Sequence, residues 1–163
     1  MEDYFTLVKY WKNCYVCIKR NIMENFIHPT AILTNVKFEG TGNYVGPYCI
    51  INNAIIGSNN RFESHCCIGA LNDDNYAYIS DFCTIGPLVA IHQNSFLGEG
   101  CVIGMGAVVP KNKRILPYKA YVGVPCKELK DNITLMEKKS IDQKDLAELR
   151  KAYNTEFNNK VFK

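Results

Sequence analysis

The sequence predicts an all-β solenoid: short strands wound into a triangular prism, followed by a C-terminal α-helix and preceded by an N-terminal helical segment. Three observations predict it. From Ile79 an aliphatic residue opens every hexad of "ISDFCT IGPLVA IHQNSF LGEGCV IGMGAV", a small residue or valine stands four places after it, and beyond Pro125 the hexads stop. A helix would need apolar spacings of three and four and a strand would need alternation, so a period of six belongs to neither alone. It fits a short strand plus a turn, three to a coil. The opening aliphatic then points to the prism axis and stacks on its counterpart in the next coil. Cys83, Val89, Ser95, Cys101 and Ala107 fit the corners, and Gly86, Gly98 and Gly104, one place after the aliphatic, suit tight turns and close backbone approach.

In chain order, residues 1–25 form the N-terminal segment, in which "YFTLVKYWKNCYVCIKRNI" (4–22) reads as amphipathic with a mixed apolar and basic surface. Capping of the solenoid or an oligomer contact suits it, with membrane-surface binding as the alternative. Residues 26–132 form the solenoid. Upstream hexads run through VGPYCI, IGSNNR, FESHCC and IGALND, with a one-residue slip near Asn52 to Ile55. Between Ile68 and Ile79 the step is eleven residues instead of six, so "ALNDDNYAYIS" holds a loop thrown out of the coil. Residues 133–163 form the helical cap: "SIDQKDLAELRKAYNTEF" sets Leu146, Leu149, Tyr153 and Phe157 on one face, and Ser140 and Gln143 have capping-box spacing.

Composition narrows the class. A chain of 163 residues suits one domain, and a net charge of +3 is too mild to argue for nucleic acid. No apolar run reaches the roughly 18 residues of a membrane span and no leader pattern opens the chain, so a soluble cytoplasmic protein is expected. Of the 8 cysteines, Cys49, Cys66, Cys83 and Cys101 fall at corner positions, and Cys14 and Cys17 make the lone C-x-x-C. Reduced packing thiols fit better than disulfides or a zinc site.

The opening "IHPTAI", the hexads, and the closing "GMGAVVPKN" and "LPYKAYVGVPCKEL" together resemble the hexapeptide-repeat acyltransferases over about residues 26 to 132. The resemblance implies a left-handed parallel β-helix, a homotrimer with sites in the grooves between subunits, and acetyl-CoA or another acyl-CoA as donor. "IGALNDDNYAY" and "YISDFCTIGPLVAIHQ" are similar to segments of the UDP-N-acetylglucosamine acyltransferases of lipid A synthesis, which use an acyl-carrier protein. That family's His-x-x-His-Asp motif is absent, and this chain is much shorter. The implied activity is acyl transfer to an amine or hydroxyl of a sugar or nucleotide sugar in surface polysaccharide biosynthesis. The resemblance carries over Asp74 as a sugar-nucleotide contact and His92 with Gln93 as active-site neighbours.

Acyl transfer needs a base for the nucleophile's proton and donors for the oxyanion. Histidine suits the first, and there are three. His28, followed by Pro29, reads as structural. His92 follows the inward Ile91 and should point outward, one coil above the strand that launches the loop of Asn72, Asp73 and Asp74, which would orient the base or hold sugar hydroxyls. His65 is the second candidate, a hydrogen bond to Glu63 being its bland alternative. For the donor, Gly104, Met105, Gly106 and Ala107 offer close backbone approach, and Lys111, Arg114 and Lys127 offer charge for the phosphates of coenzyme A, or for an acidic carrier protein. No metal is expected: a three-histidine site wants close spacing, and here the separations are 37 and 27 residues. A non-catalytic β-helical scaffold remains the reading from another class.

Overall fold

The computed structural model describes residues 24–70 and 75–159, with side chains to residue 155. Residues 1–23, and with them most of the N-terminal segment, Cys14 and Cys17, lie outside that range, as does the side chain of Phe157. The rest is a parallel β-solenoid of about five turns followed by two helices.

Its first face stacks β1 (Phe26–Ile27), β3 (Tyr44–Val45), β5 (Arg61–Phe62), β8 (Thr84–Ile85), β11 (Val102–Ile103) and β14 (Lys119–Val122). The other two faces share two long strands, β2 (Ile32–Phe38) and β4 (Ile50–Ile56). The first half of β4 pairs with β6 (Cys67–Ile68) and the second half with β7 (Ala77–Ile79). Face two then continues through β9 (Ala90–Ile91) and β12 (Val108–Val109), and face three through β10 (Phe96–Leu97) and β13 (Arg114–Ile115). The slip near Asn52 is thus a corner one residue short, which lets β4 bend from one face to the next without breaking.

Val45, Phe62, Ile85, Ile103 and Tyr121 stack inward on face one, Ile51, Ile68, Ile91 and Val109 on face two, and Ile56, Ile79, Leu97 and Ile115 on face three, all buried. Cys49, Cys66, Val89 and Ala107 fill one corner column and Cys83 with Cys101 another, also buried. The expected core is the observed core. Its thiols donate within the stack, Cys83 to Gly98 O at 3.4 Å and Cys66 to Gly86 O at 3.2 Å. Facing thiols also perturb one another: the hydrogen bond from Cys66 draws the Cys49 thiol down to about 7 and pushes Cys66 far up.

The left-handed conformation of the turns falls three places after the aliphatic, at Tyr48, His65 and Leu88 in one column and at Asn94 and Asn112 in another, with φ between 57° and 64°. Holding a non-glycine residue there costs on the order of 1 kcal/mol, sustained because each turn is hydrogen-bonded to the coil beside it, as in His65 N–H to Pro47 O at 3.0 Å. Gly86 and Gly98 allow the close backbone approach expected of them. A Cβ on Gly86 would stand 2.8 Å from Met105 N, and one on Gly98 2.7 Å from Pro117 N.

β15 (Lys127–Asp131) turns back antiparallel on β14 and closes the far end. It leads to α1 (Ile133–Lys138) and α2 (Gln143–Asn159), whose Leu146 is buried with Tyr118 and Met136. The capping box is not Ser140–Gln143. Ser140 has φ 54° and ends α1, with Ser140 N–H bonding Glu137 O and Ile141 N–H bonding Met136 O. Asp142 and Asp145 cap α2 reciprocally, at 2.8 and 3.4 Å.

Candidate functional site

Strand register fixes where each candidate lies. Ile91 pairs with Ile68 and with Val109, so His92 sits between Gly69 in the coil below and Pro110 in the coil above. Gly69 N–H donates to Ile91 O at 2.8 Å and His92 N–H to Val109 O at 3.0 Å, which pins the backbone on both sides of an exposed imidazole. One place further on, Lys111 stands over Gln93, and Asn94 Nδ2 donates to Asn112 Oδ1 at 2.7 Å. The corner between faces two and three therefore collects His92, Gln93, Lys111 and the strand that launches the loop. Arg114 begins face three beside it, opposite Phe96.

Asn72, Asp73 and Asp74 lie outside the described residues, but both stems of their loop are described. Asn53, buried with φ 46° at the short corner of β4, donates through Nδ2 to Ala70 O and accepts through Oδ1 from Asn35, both at 2.6 Å. Asn35 Nδ2 also reaches the Tyr76 hydroxyl at 2.8 Å. Two asparagines thus tie the stems together, a function the sequence signalled only as a slip in the repeat. The signal was available: both are asparagines at a tight corner, the residue that best tolerates a left-handed backbone after glycine.

The other candidates gather at the opposite corner of face two. His65 is exposed there, its ring 5.1 Å from that of Tyr48. The carboxylate of Glu63 pairs with Arg61 at 2.6 Å, and the alternative reading of a Glu63–His65 bond gives way to a packed ring. His65 lies in the turn before β6 and Gly69, beneath His92, directly after it, so the two histidines stand at opposite ends of face two. Gly104, Met105, Gly106 and Ala107 occupy the same corner two coils up, capped by Lys127, whose strand starts where Cys126 N–H bonds Val108 O at 2.8 Å. Burial raises the Cys126 thiol, and burial likewise pushes the Tyr121 hydroxyl up to about 12.

The residues expected to meet the donor thus divide between two corners one hexad apart. The glycine turn has little backbone to offer an oxyanion: Gly104 N–H is taken by Tyr121 O at 2.8 Å, Gly106 N–H by Pro87 O at 2.9 Å and Ala107 N–H by Gly104 O at 3.2 Å. What it offers is room, since a Cβ on Gly106 would meet nothing within 4 Å. His28 behaves as a turn residue, its Nδ1 2.8 Å from Thr30 Oγ1. Among the described residues no three His, Cys, Asp or Glu side chains are grouped as a metal ion would require, and no helix is long and apolar enough to cross a membrane.

No protein-family model matches the chain, and no curated protein matches it in sequence. Solved structures do match. AntD, an N-acyltransferase from Bacillus cereus crystallised with dTDP and 3-hydroxybutyryl-CoA, aligns at a TM-score of 0.58 and 17% identity over 71% of this chain and 74% of that one. What the two share is the fold, a parallel β-solenoid, as the resemblance to the hexapeptide-repeat acyltransferases leads one to expect. Further matches are perosamine N-acetyltransferase from Caulobacter crescentus, at a TM-score of 0.47 and 22% identity over 67% of this chain and 58% of that one, and serine acetyltransferase from Neisseria gonorrhoeae, at 0.46 and 27% over 72% and 44%. This chain thus spans less than two thirds of either.

Proposed function

We propose that this protein moves an acyl group, acetyl in the simplest case, from a coenzyme A thioester to an amine or hydroxyl of a sugar or nucleotide sugar for surface polysaccharide, with His92 as general base. The observation that carries this is the corner between faces two and three. It gathers an exposed imidazole, Gln93, the cation of Lys111 and the launch point of an acidic loop, on a backbone hydrogen-bonded to coils above and below. The shared fold with AntD, whose crystals hold a nucleoside diphosphate and an acyl-CoA, supports the same class of ligands.

In this mechanism the imidazole takes the proton of the acceptor amine or hydroxyl as its nitrogen or oxygen attacks the thioester carbonyl. The tetrahedral intermediate collapses, the carbon–sulfur bond breaks, and the proton returns to the departing thiolate. Asn72, Asp73, Asp74 and Gln93 hold the acceptor. Lys111 and Arg114 neutralise phosphates of the donor, and Gly104, Met105, Gly106, Ala107 and Lys127 offer it a second place of contact at the other corner of face two. Three subunits assemble around the outward column of face two, Ile32, Ile50, Cys67, Ala90 and Val108, where an unbroken run of apolar residues is a poor surface to leave in water.

The test is thiol release from acetyl-CoA with a panel of amino sugars and nucleotide sugars, comparing wild type with His92→Ala and His65→Ala. The expected result is a fall of about 10² to 10⁴ in kcat for His92→Ala alone, the range for a positioned general base. Activity lost only in His65→Ala moves the base to the other corner, and no cleavage of any donor favours the scaffold.

A further inference from the structure

The turn that carries His92 and Gln93 is supported differently from those at the corner between faces one and two. There the left-handed residue of each turn donates its N–H to the residue just before its counterpart in the coil below: His65 to Pro47 O at 3.0 Å, Leu88 to Ser64 O at 3.1 Å and Gly106 to Pro87 O at 2.9 Å. Each acceptor is placed by the repeat. In the His92 turn the left-handed residue is Asn94, and its N–H donates at 2.9 Å to Tyr76 O. Tyr76 directly precedes β7, on the far side of the eleven-residue step from Ile68 to Ile79, so the repeat does not assign this acceptor. Of the backbone bonds that tie the turn to the coil below, Gly69 N–H to Ile91 O and Tyr78 N–H to Ser95 O, both at 2.8 Å, lie at its two ends. The bond from Asn94 to Tyr76 is made inside it.

What holds the Tyr76 side chain lies two coils lower. Asn35 on β2, itself left-handed at φ 53°, donates through Nδ2 to the Tyr76 hydroxyl at 2.8 Å and to Asn53 Oδ1 at 2.6 Å, so both protons of its amide are spent on other side chains. We propose that Asn35 is a positioning residue for acyl transfer: through the Tyr76 hydroxyl it fixes the carbonyl on which the His92 turn rests. This rests on the reading of His92 as general base. Three coils, roughly 14 Å, separate Asn35 from His92, so Asn35 acts through Tyr76 and touches neither the imidazole nor its substrates. The leverage comes from what a base requires. It must stand within hydrogen-bond reach of the proton it takes, and a misplacement of about 1 Å can cost on the order of 10²-fold in rate.

Tyr76→Phe removes the hydroxyl and keeps the ring, and Asn35→Ala removes its partner. Amide hydrogen exchange at Asn94, followed by NMR with neither donor nor acceptor present, is expected to run several-fold faster in both variants. In acyl transfer, kcat should fall roughly three- to tenfold in each, within what a sub-ångström misplacement costs. Tyr76→Phe should leave the KM for acetyl-CoA and the denaturation midpoint as in wild type, and the double variant should be no slower than Asn35→Ala, since one bond is lost in either case. Lys37→Ala, two places along β2 in an exposed ion pair with Glu39 at 3.0 Å, should change neither exchange nor kcat. The proposal is overturned if Asn94 exchanges at the wild-type rate in Tyr76→Phe, if exchange quickens while kcat is unchanged, or if the double variant loses the product of the two single losses. A wild type that cleaves no acetyl-CoA with any acceptor removes the reading of His92 as base and the positioning role with it, while exchange at Asn94 still reports whether Asn35 holds the turn.

Discussion

Faces two and three are built from the same hexads and bury the same kind of core, yet their outer surfaces differ. On face three the outward Tyr78 and Phe96 rings stack at 4.6 Å, Phe96 is only 6% exposed, and the hydroxyl of Tyr153 on α2 donates to Phe96 O at 3.2 Å. On face two the outward column stays apolar without such a cover: Ile32 is 59% exposed, and at the neighbouring corner Leu88 is 62% exposed. The repeat specifies the interior of the prism and leaves its exterior free, so each face can be given a separate task. The face that this chain covers with its own helices is closed, and the face left open lies between the two corners that hold His65 and His92.

Substitutions should expose that asymmetry. The largest effect is expected from Leu146→Ala, which empties a fully buried site against Tyr118 and Met136; about 2 to 5 kcal/mol should be lost, seen as a lower midpoint in chemical denaturation. Leu88→Ser, on the open side, should change the same midpoint by no more than about 0.5 kcal/mol, and equal losses at the two sites would erase the distinction between a covered and an open face.

The smallest effect concerns the ion pairs that hold β15 over β14. The Lys119 ammonium, hydrogen-bonded to the Glu128 carboxylate at 3.0 Å, lowers the pKa of Glu128. A carboxyl lowered on folding contributes stability that is present above its unfolded value of about 4.5 and is lost as pH falls through its folded value. Because Glu128 is half-exposed the contribution is a few tenths of a kcal/mol, read as the difference between the acid-unfolding profiles of wild type and Glu128→Gln below pH 5.

Most of the interior was legible in the sequence because a period of six leaves an unambiguous trace: the stacks at Ile85, Ile91 and Leu97 are found where the hexads put them. Turn chemistry was harder to read. The left-handed position is held by Tyr48, His65, Leu88 and Phe82 as well as by Asn59, Asn94, Gly100 and Gly106, and only the last four carry a compositional signal. Ser140 was misread because a serine can begin a helix as a cap or, as here, end the preceding one. Of the candidate site, the coil count placed His92 over Gly69 correctly, since register is a consequence of length alone. It did not reveal that Gly104 and Lys111 stand at different corners, although one hexad between them implies it, nor that the turn's amides are already bonded.

The corner between faces two and three measures five residues between inward positions at Ile51 and Ile56, six at Ile91 and Leu97, and eleven at Ile68 and Ile79, yet Phe62 still pairs with Ile85 in the coil that follows. Chain length at this corner is decoupled from strand register. Descent from a common repeat can therefore proceed here by insertion and deletion while the lattice of side chains beneath stays unaltered.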